Sequence, residues 1–287
     1  MKHWIISFIL LLCCMNVSAQ EVVCNENDRK VITALLTDAR SLPKDANLMM
    51  HYARVFMGVP YVGGTLDRDT SERLIVNLRE LDCTTFVETV LAMALCTKNH
   101  ETTFDDFCRH LREVRYIDGK VEYTKRQHYF TVWMDANEKQ GIVHRIEHNP
   151  PFTAVQKPHI NYMTKHVSSY KMLSAHPEWL EGIRAMELSM EGKSYPYIPK
   201  EALRPTSDNN SLLRQYINNG DIIAILTNKK GLDTTHIGIA SWHDDGLHLI
   251  NASSIHKKVV DEPKLFYDYM QEHPSQIGIR VVRMNMY

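Results

Sequence analysis

"RELDCTTFVETVLAMALC" fills positions 79–96 of the 287-residue chain, and how this stretch is read decides the fold. Asp82 and Cys83 stand before a long apolar run that is broken only by Glu88 and ends in Cys96. The run is too long for a single strand and lacks a strict two-residue alternation, so it reads as a helix beginning near Cys83. Asp82 fits its N-cap, with Cys83 as the first helical residue. Thr85 is a competing cap, because Thr85 and Glu88 have the spacing of a capping box. On either reading Cys83 lies beside the unpaired N–H groups at the positive end of the helix, where a thiolate is favoured and the thiol is expected to titrate below its ordinary value. Cys83 can be half of a disulfide, a buried filler or a nucleophile.

Upstream, Val31, Ile32, Leu35 and Leu36 mark one amphipathic helix, and residues 48–57 suggest a second. Gly58, Pro60, Gly63 and Gly64 deny residues 58–64 a regular helix, and residues 71–78 read as a short one. Residues 104–114 carry Phe104, Phe107, Leu111 and Val114 at helical spacing. From Gly220 the period changes to that of strands, at 221–227, 236–242, 247–251 and 278–283, with turns at 228–231 and 243–246 joining the first three as a meander. Helices followed by an antiparallel sheet define an α+β protein. Residues 123–205 mix aromatics, histidines and prolines, with one helix expected at 179–190, and read as an embellishment of a single domain spanning 20–287.

The first nineteen residues have the plan of an export signal: Lys2, an apolar core over residues 4–14, and the small cleavage site Val17-Ser18-Ala19. Mature protein would then begin at Gln20, in the periplasm or outside the cell. A lipoprotein signal would need small residues before Cys13 or Cys14, where leucines stand. No later stretch approaches the ~20 apolar residues of a membrane span. Lys plus Arg is 33 against Asp plus Glu 34, so no net field attracts nucleic acid or an anionic membrane. Beyond the signal remain Cys24, Cys83, Cys96 and Cys108. An even number permits two bridges, including one between Cys96 and Cys108, although the cysteine density is far below that of a disulfide scaffold.

A thiol nucleophile needs a base. Among 15 histidines, His236 opens a strand with Gly238 and Ala240 as same-face neighbours, small enough for a helix carrying Cys83 to approach. Asn251 ends the next strand. An even number of turn residues puts Asn251 on the face of His236; an odd number substitutes His248 or Ile250. A polar group there would orient the imidazole as the third member of a triad. The alternative for His236 is an ordinary sheet histidine.

Asp82-Cys-Thr-Thr-Phe-Val87, preceded by Pro60-Tyr-Val-Gly-Gly64 and followed by Gly220-Asp-Ile-Ile223 and His236-Ile-Gly-Ile239, resembles the NlpC-type papain-like cell-wall hydrolases. With Arg126-Gln-His-Tyr-Phe130, Tyr197-Ile-Pro-Lys200 and Gly231-Leu-Asp-Thr-Thr-His-Ile-Gly238, the chain is similar to one branch of them, the N-acetylmuramoyl-L-alanine amidase-like family of Gram-negative bacteria. The resemblance covers nearly all of residues 20–287. It implies an α+β papain-like core, Cys83 as nucleophile, His236 as base, Asn251 as third member, and Tyr61 lining the site. It also implies a muropeptide or peptidoglycan-fragment substrate and no metal or organic cofactor. Asp82, Thr84, Arg126, His128 and Tyr129 complete the residues expected to meet substrate. The common pattern has Ser-Gly after the cysteine, whereas Thr84-Thr85 stands here.

Two other chemistries compete. His144-Arg-Ile-Glu-His148 has the spacing of an inverted zinc-peptidase motif, but Gly141 and Pro150 leave no room for the helix it requires. A binding module that holds muropeptides with an inert or bridged Cys83 is the other. Within the enzymes, cleavage between D-glutamate and the diamino acid is the nearest rival to amidase chemistry.

Overall fold

The computed structural model describes residues 22–286; the expected export signal lies outside them. Helices α1 (Glu26–Asp38), α2 (Leu48–Val55), α3 (Cys83–Lys98) and α4 (Phe104–Arg115) come first, with the short strands β1 (Val22–Cys24) and β2 (Leu74–Val76) paired in parallel. Residues 71–78, expected to be helical, thus hold a strand. Asp82 caps α3: its carboxylate accepts from Thr85 N–H at 2.8 Å and from the Thr85 hydroxyl at 2.8 Å, while Asp82 N–H donates to the same hydroxyl at 2.9 Å. Thr85 serves here as the third residue of the box, and Glu88 is released for another task.

The main sheet has eight strands: β3 (Val143–Ile146), β4 (Ala154–Gln156), β5 (Tyr195–Pro199), β6 (Ile222–Thr227), β7 (Thr234–Trp242), β8 (Leu247–Ser253), β9 (Lys258–Asp261) and β10 (Gln276–Met284). Strands β6 to β9 form the expected meander, and β10 returns to pair with β6 in antiparallel register. The middle stretch is woven into this sheet, since β3 and β5 both pair with β10 and β4 adds to β5. Its helix α5 (Phe130–Lys139) sends Trp133 and Met134 into the main core. Residues of α6 (Tyr162–Lys165), α7 (Lys171–Ala175) and α8 (Leu180–Leu188) build a satellite core around Ile160, Met163, Leu173 and Ile183.

One face of the sheet, through Ile237, Ile239, Ile250 and Ala252, packs on Phe86, Val87, Val90 and Leu91 of α3. Each such fully buried side chain contributes roughly 1.5–3 kcal/mol, which fixes the axis of α3 and so the place of its first turn. The other face, with Ala240 and Leu249, is covered by α9 (Ser207–Leu213) and α10 (Phe266–Gln271). Gly238 and Ala240 therefore do not make room for α3. A Cβ on Gly238 would stand 2.7 Å from Leu249 Cγ and 2.8 Å from the Ile250 carbonyl oxygen, so its smallness serves the neighbouring strand. Among the described residues no helix is long and apolar enough to cross a membrane.

Candidate active site

A cavity of about 300 Å³ opens where α3 begins and β7 begins, lined by Cys83, Thr84, Asp82, Gly64, Asp67, Arg126, Gln127, His128, Thr234, Thr235 and His236 among others. Cys83, half-buried, and His236, half-buried, share its wall. The turn between β7 and β8 spans residues 243–246, an even number, and Ile239 pairs with Ile250. Asn251 accordingly falls on the His236 side of the sheet. Its Oδ1 accepts a hydrogen bond from His236 Nε2 at 2.9 Å, and its own Nδ2 donates to the Leu249 carbonyl at 3.2 Å. The amide orientation is thereby fixed, and with it the tautomer: the ring proton sits on Nε2. Nδ1 has no hydrogen-bond partner among the described residues.

A β-bulge precedes the histidine. Ile225 pairs with His236, but Leu226 pairs with Thr234, leaving Thr235 unmatched. A bulge at this point re-aims the next side chain toward the sheet end, where Ile237 N–H reaches the Cys83 sulfur.

All four described cysteines are free. The reading of Cys83 as half of a bridge fails in this structure, as does a Cys96–Cys108 link. The thiol nonetheless departs from expectation. Burial, with the Asp82 charge second, pushes it up to about 12, against the lowering effect of Ile237 N–H and of the Thr84 hydroxyl and N–H. The helix terminus is outweighed by this burial and by the Asp82 charge, and one of its donors, Thr85 N–H, is already committed to Asp82 Oδ1. His236 is held below its ordinary value by burial, with Asn251 pulling the other way. The resting pair is neutral thiol and neutral imidazole.

Of the residues expected to meet substrate, Asp82, Thr84, Arg126 and His128 do line the cavity. Tyr61 lies beside it, its hydroxyl raised by burial and by the neighbouring Cys83 and Asp82. Tyr129 points elsewhere. It is buried in the satellite core, where its hydroxyl donates to Glu187 Oε1 at 2.7 Å and accepts from Met163 N–H at 2.9 Å. Arg126 is itself buried, paired with Asp67 and 3.7 Å from Glu72. Burial works against its charge, and Glu72 and Asp67 more than restore it. His128 donates from Nε2 to the Tyr123 carbonyl at 2.8 Å; burial, then Arg126, drives its pKa down to about 3, leaving a neutral ring. The sequence did not disclose the buried Glu88–Arg115 pair at 2.6 Å, which also lines the cavity. A charged residue in the middle of an apolar helix was its only signal.

The inverted-peptidase spacing has no matching geometry. His144 lies on strand β3 and bonds Asn285 at 2.6 Å, while His148 lies beyond that strand and stacks on Tyr216.

An α+β fold with cysteine and imidazole on the wall of one cavity, and a buried amide behind the imidazole, defines the class of architecture. The chain belongs to the AmiA-like family, described as N-acetylmuramoyl-L-alanine amidase-like, whose profile matches residues 51–279. It is similar to the crystal structure of an N-acetylmuramoyl-L-alanine amidase from Bacteroides uniformis, at 35% identity and a TM-score of 0.77, over 84% of this chain and 100% of that one. A Bacteroides fragilis structure with a provisional xylanase name is 38% identical, with a TM-score of 0.74 over 82% of this chain and 100% of that one. A Legionella pneumophila protein of the DUF1460 family, 24% identical with a TM-score of 0.66 over 90% of this chain and 95% of that one, shares the fold. No curated protein matches the chain.

Proposed function

We propose that this chain is a papain-like, NlpC-type cysteine amidase that cleaves the amide between N-acetylmuramic acid and L-alanine in peptidoglycan fragments. The observation carrying this reading is the Cys83 sulfur and the Asn251-oriented His236 ring on the wall of one cavity, in a chain of the amidase-like family. His236 Nδ1 takes the thiol proton as sulfur attacks the lactyl carbonyl carbon. The Cys83 N–H, which has no acceptor among the described residues, stabilises the oxyanion. The imidazolium then protonates the departing alanine nitrogen and breaks the C–N bond. In the second half His236 deprotonates water, hydroxide attacks the thioester, and the thiol is restored with the muramic acid carboxylate as product. Because both partners rest neutral, proton transfer accompanies attack rather than preceding it.

Carbohydrate-bond chemistry is less well served. Glycosidases need a carboxylic acid and a carboxylate free at the cleft, but around this cavity Asp82 caps α3, Asp67 pairs with Arg126, and Glu88 pairs with Arg115. Muropeptides incubated with wild type and Cys83→Ala and then resolved by mass spectrometry test the proposal. Peptides beginning with L-alanine, released by wild type alone, are expected. Products beginning at the diamino acid would replace it with the endopeptidase, and no product with a binding module. Export to the periplasm or beyond is part of the same reading, and N-terminal sequencing of secreted protein is expected to start at Gln20.

A further inference from the structure

We propose that the β7–β8 turn carries a binding site for a divalent transition cation of the zinc class, held by His243, Asp245 and His248. One ligand atom from each of the three lies within 4.8 Å of the other two. The imidazole rings stack with centroids 4.1 Å apart. Zinc bonds to nitrogen and oxygen measure about 2.0–2.2 Å, so the group must contract around an ion, and the exposed His243 ring must turn out of the stack to bring its lone pair onto the ion. Two imidazoles among the donors disfavour calcium and magnesium, which take oxygen.

Two further observations point to a cation. His248 is buried, and its Nδ1 lies 2.8 Å from the Glu262 carbonyl, an acceptor only, so the ring proton is on Nδ1. A backbone carbonyl holding the remote nitrogen is the usual way a metal-binding imidazole is oriented. The Nε2 lone pair then faces Asp245 Oδ1 at 3.0 Å, and two acceptors at that distance need positive charge between or upon them. Beside them, Asp261 Oδ2 contacts His243 Nε2 at 3.0 Å, while its Oδ1 is buried without a partner among the described residues. The converging set offers one carboxylate and two imidazoles to a dication, and Asp261, whose Oδ2 also accepts from the Ser241 hydroxyl at 3.0 Å, lies alongside it. The other Cys/His/Glu cluster, Cys96, Glu101 and His110, already contains a cation, because Arg109 donates to Glu101 at 2.6 Å.

The ion would close the β7–β8 turn onto β8, at the end of the hairpin remote from the catalytic cavity. Its role would be to hold the strands that carry His236 and Asn251, and it takes no part in amide cleavage. Calorimetric titration of the metal-stripped full-length protein with zinc chloride tests this, using wild type, His243→Gln, Asp245→Asn and Cys96→Ala. Residues 243 and 245 have exposed side chains, at 41% and 62%, so both variants should fold. One zinc per chain is expected, with affinity falling at least about tenfold in His243→Gln and Asp245→Asn. Zinc should raise Tm by about 3 °C or more in wild type and Cys96→Ala but not in His243→Gln. Absence of zinc uptake at micromolar concentration would overturn the proposal, as would uptake that survives both turn variants or vanishes in Cys96→Ala. Because every readout is binding or stability, the result is independent of whether the amidase reading holds.

Discussion

The two ends of α3 each hold a cysteine near a histidine, and only one end has the means to make a nucleophile. Cys83 and Cys96 are alike in acidity, for burial pushes both thiols well above the ordinary range. They differ in what surrounds them. At the Cys96 end, His110 has both ring nitrogens engaged, Nε2 with Glu101 at 2.7 Å and Nδ1 with Glu113 at 3.1 Å, and the thiol is wholly enclosed. At the Cys83 end His236 commits only Nε2, and the sulfur faces a cavity. On the proposed mechanism, a depressed pKa is therefore not what would distinguish the reactive thiol. A free imidazole nitrogen and room for a substrate carbonyl would.

The largest effect expected is the loss of the sulfur itself. Cys83→Ala should lower kcat/KM on a muropeptide by on the order of 10⁴-fold or more, with a circular dichroism spectrum and Tm near wild type. Cys96→Ala should leave kcat/KM within about threefold while costing about 1 kcal/mol of stability, as loss of buried volume does. Equal losses of activity in the two variants would erase the distinction between the helix ends. Next in size, His236→Ala is expected to lose about 10³-fold, and Asn251→Ala about 10²-fold because the ring survives but loses its fixed tautomer. Full activity in the asparagine variant would show that Asn251 does not orient the ring.

The same contrast governs pH. His236 titrates below the ordinary imidazole value, so the acid limb of kcat/KM should fall below pH ~6.5. No downturn is expected from thiol ionisation between pH 7 and 9. Reaction of Cys83 with iodoacetamide should rise about tenfold per pH unit across that range, because the thiolate is the reactive form and stays scarce. A plateau near pH 7 would mean a preformed thiolate. His128 supplies a separate, stability-linked signal. Its folded pKa, about 3, lies below the unfolded value, so the folded state is disfavoured by protonation. That contribution is present in full above pH ~6.5 and is lost as pH falls toward 3. Urea midpoints should decline over that window, and less so in His128→Gln.

How much of this the sequence disclosed depended on the range of the forces involved. The cap at Asp82, the extent of α3 and the meander are local matters of propensity and period, and they were legible. The His236–Asn251 partnership was legible up to one parity, which four turn residues decided. The bulge at Thr235 was not, since it becomes visible only when β6 is laid alongside. Short strands with prolines, such as Tyr195–Pro199 in β5, carry too few alternations to stand out from a loop. Tyr129 and His128 are adjacent in sequence and face opposite ways because Glu187, 58 residues on, claims the tyrosine hydroxyl. The thiol pKa differs from expectation for a related reason: the helix terminus and its cap are sequence features, whereas the burial that outweighs them is a tertiary one.

Asp82 offers the finest test of that last balance. It caps α3, and it is also the negative charge that, after burial, does most to keep Cys83 protonated. Asparagine preserves the capping oxygen and removes the charge, and it ranks with aspartate as an N-cap. Asp82→Asn should therefore keep Tm within about 2 °C, while the alkylation rate of Cys83 at pH 7 rises by about threefold to tenfold as the thiol pKa comes down. Asp82→Ala should show the same electrostatic gain together with a stability loss of about 1 kcal/mol from the missing cap. If alkylation slows in both variants, the carboxylate matters by holding the first turn in place, and the charge it contributes is secondary. If it slows only in the alanine variant, both roles are present and the cap dominates. Either outcome would narrow the contrast between the helix ends to geometry alone, because the Cys96 thiol has acidic neighbours too, in Glu101 and Asp106, and no cavity in which to use a lower pKa.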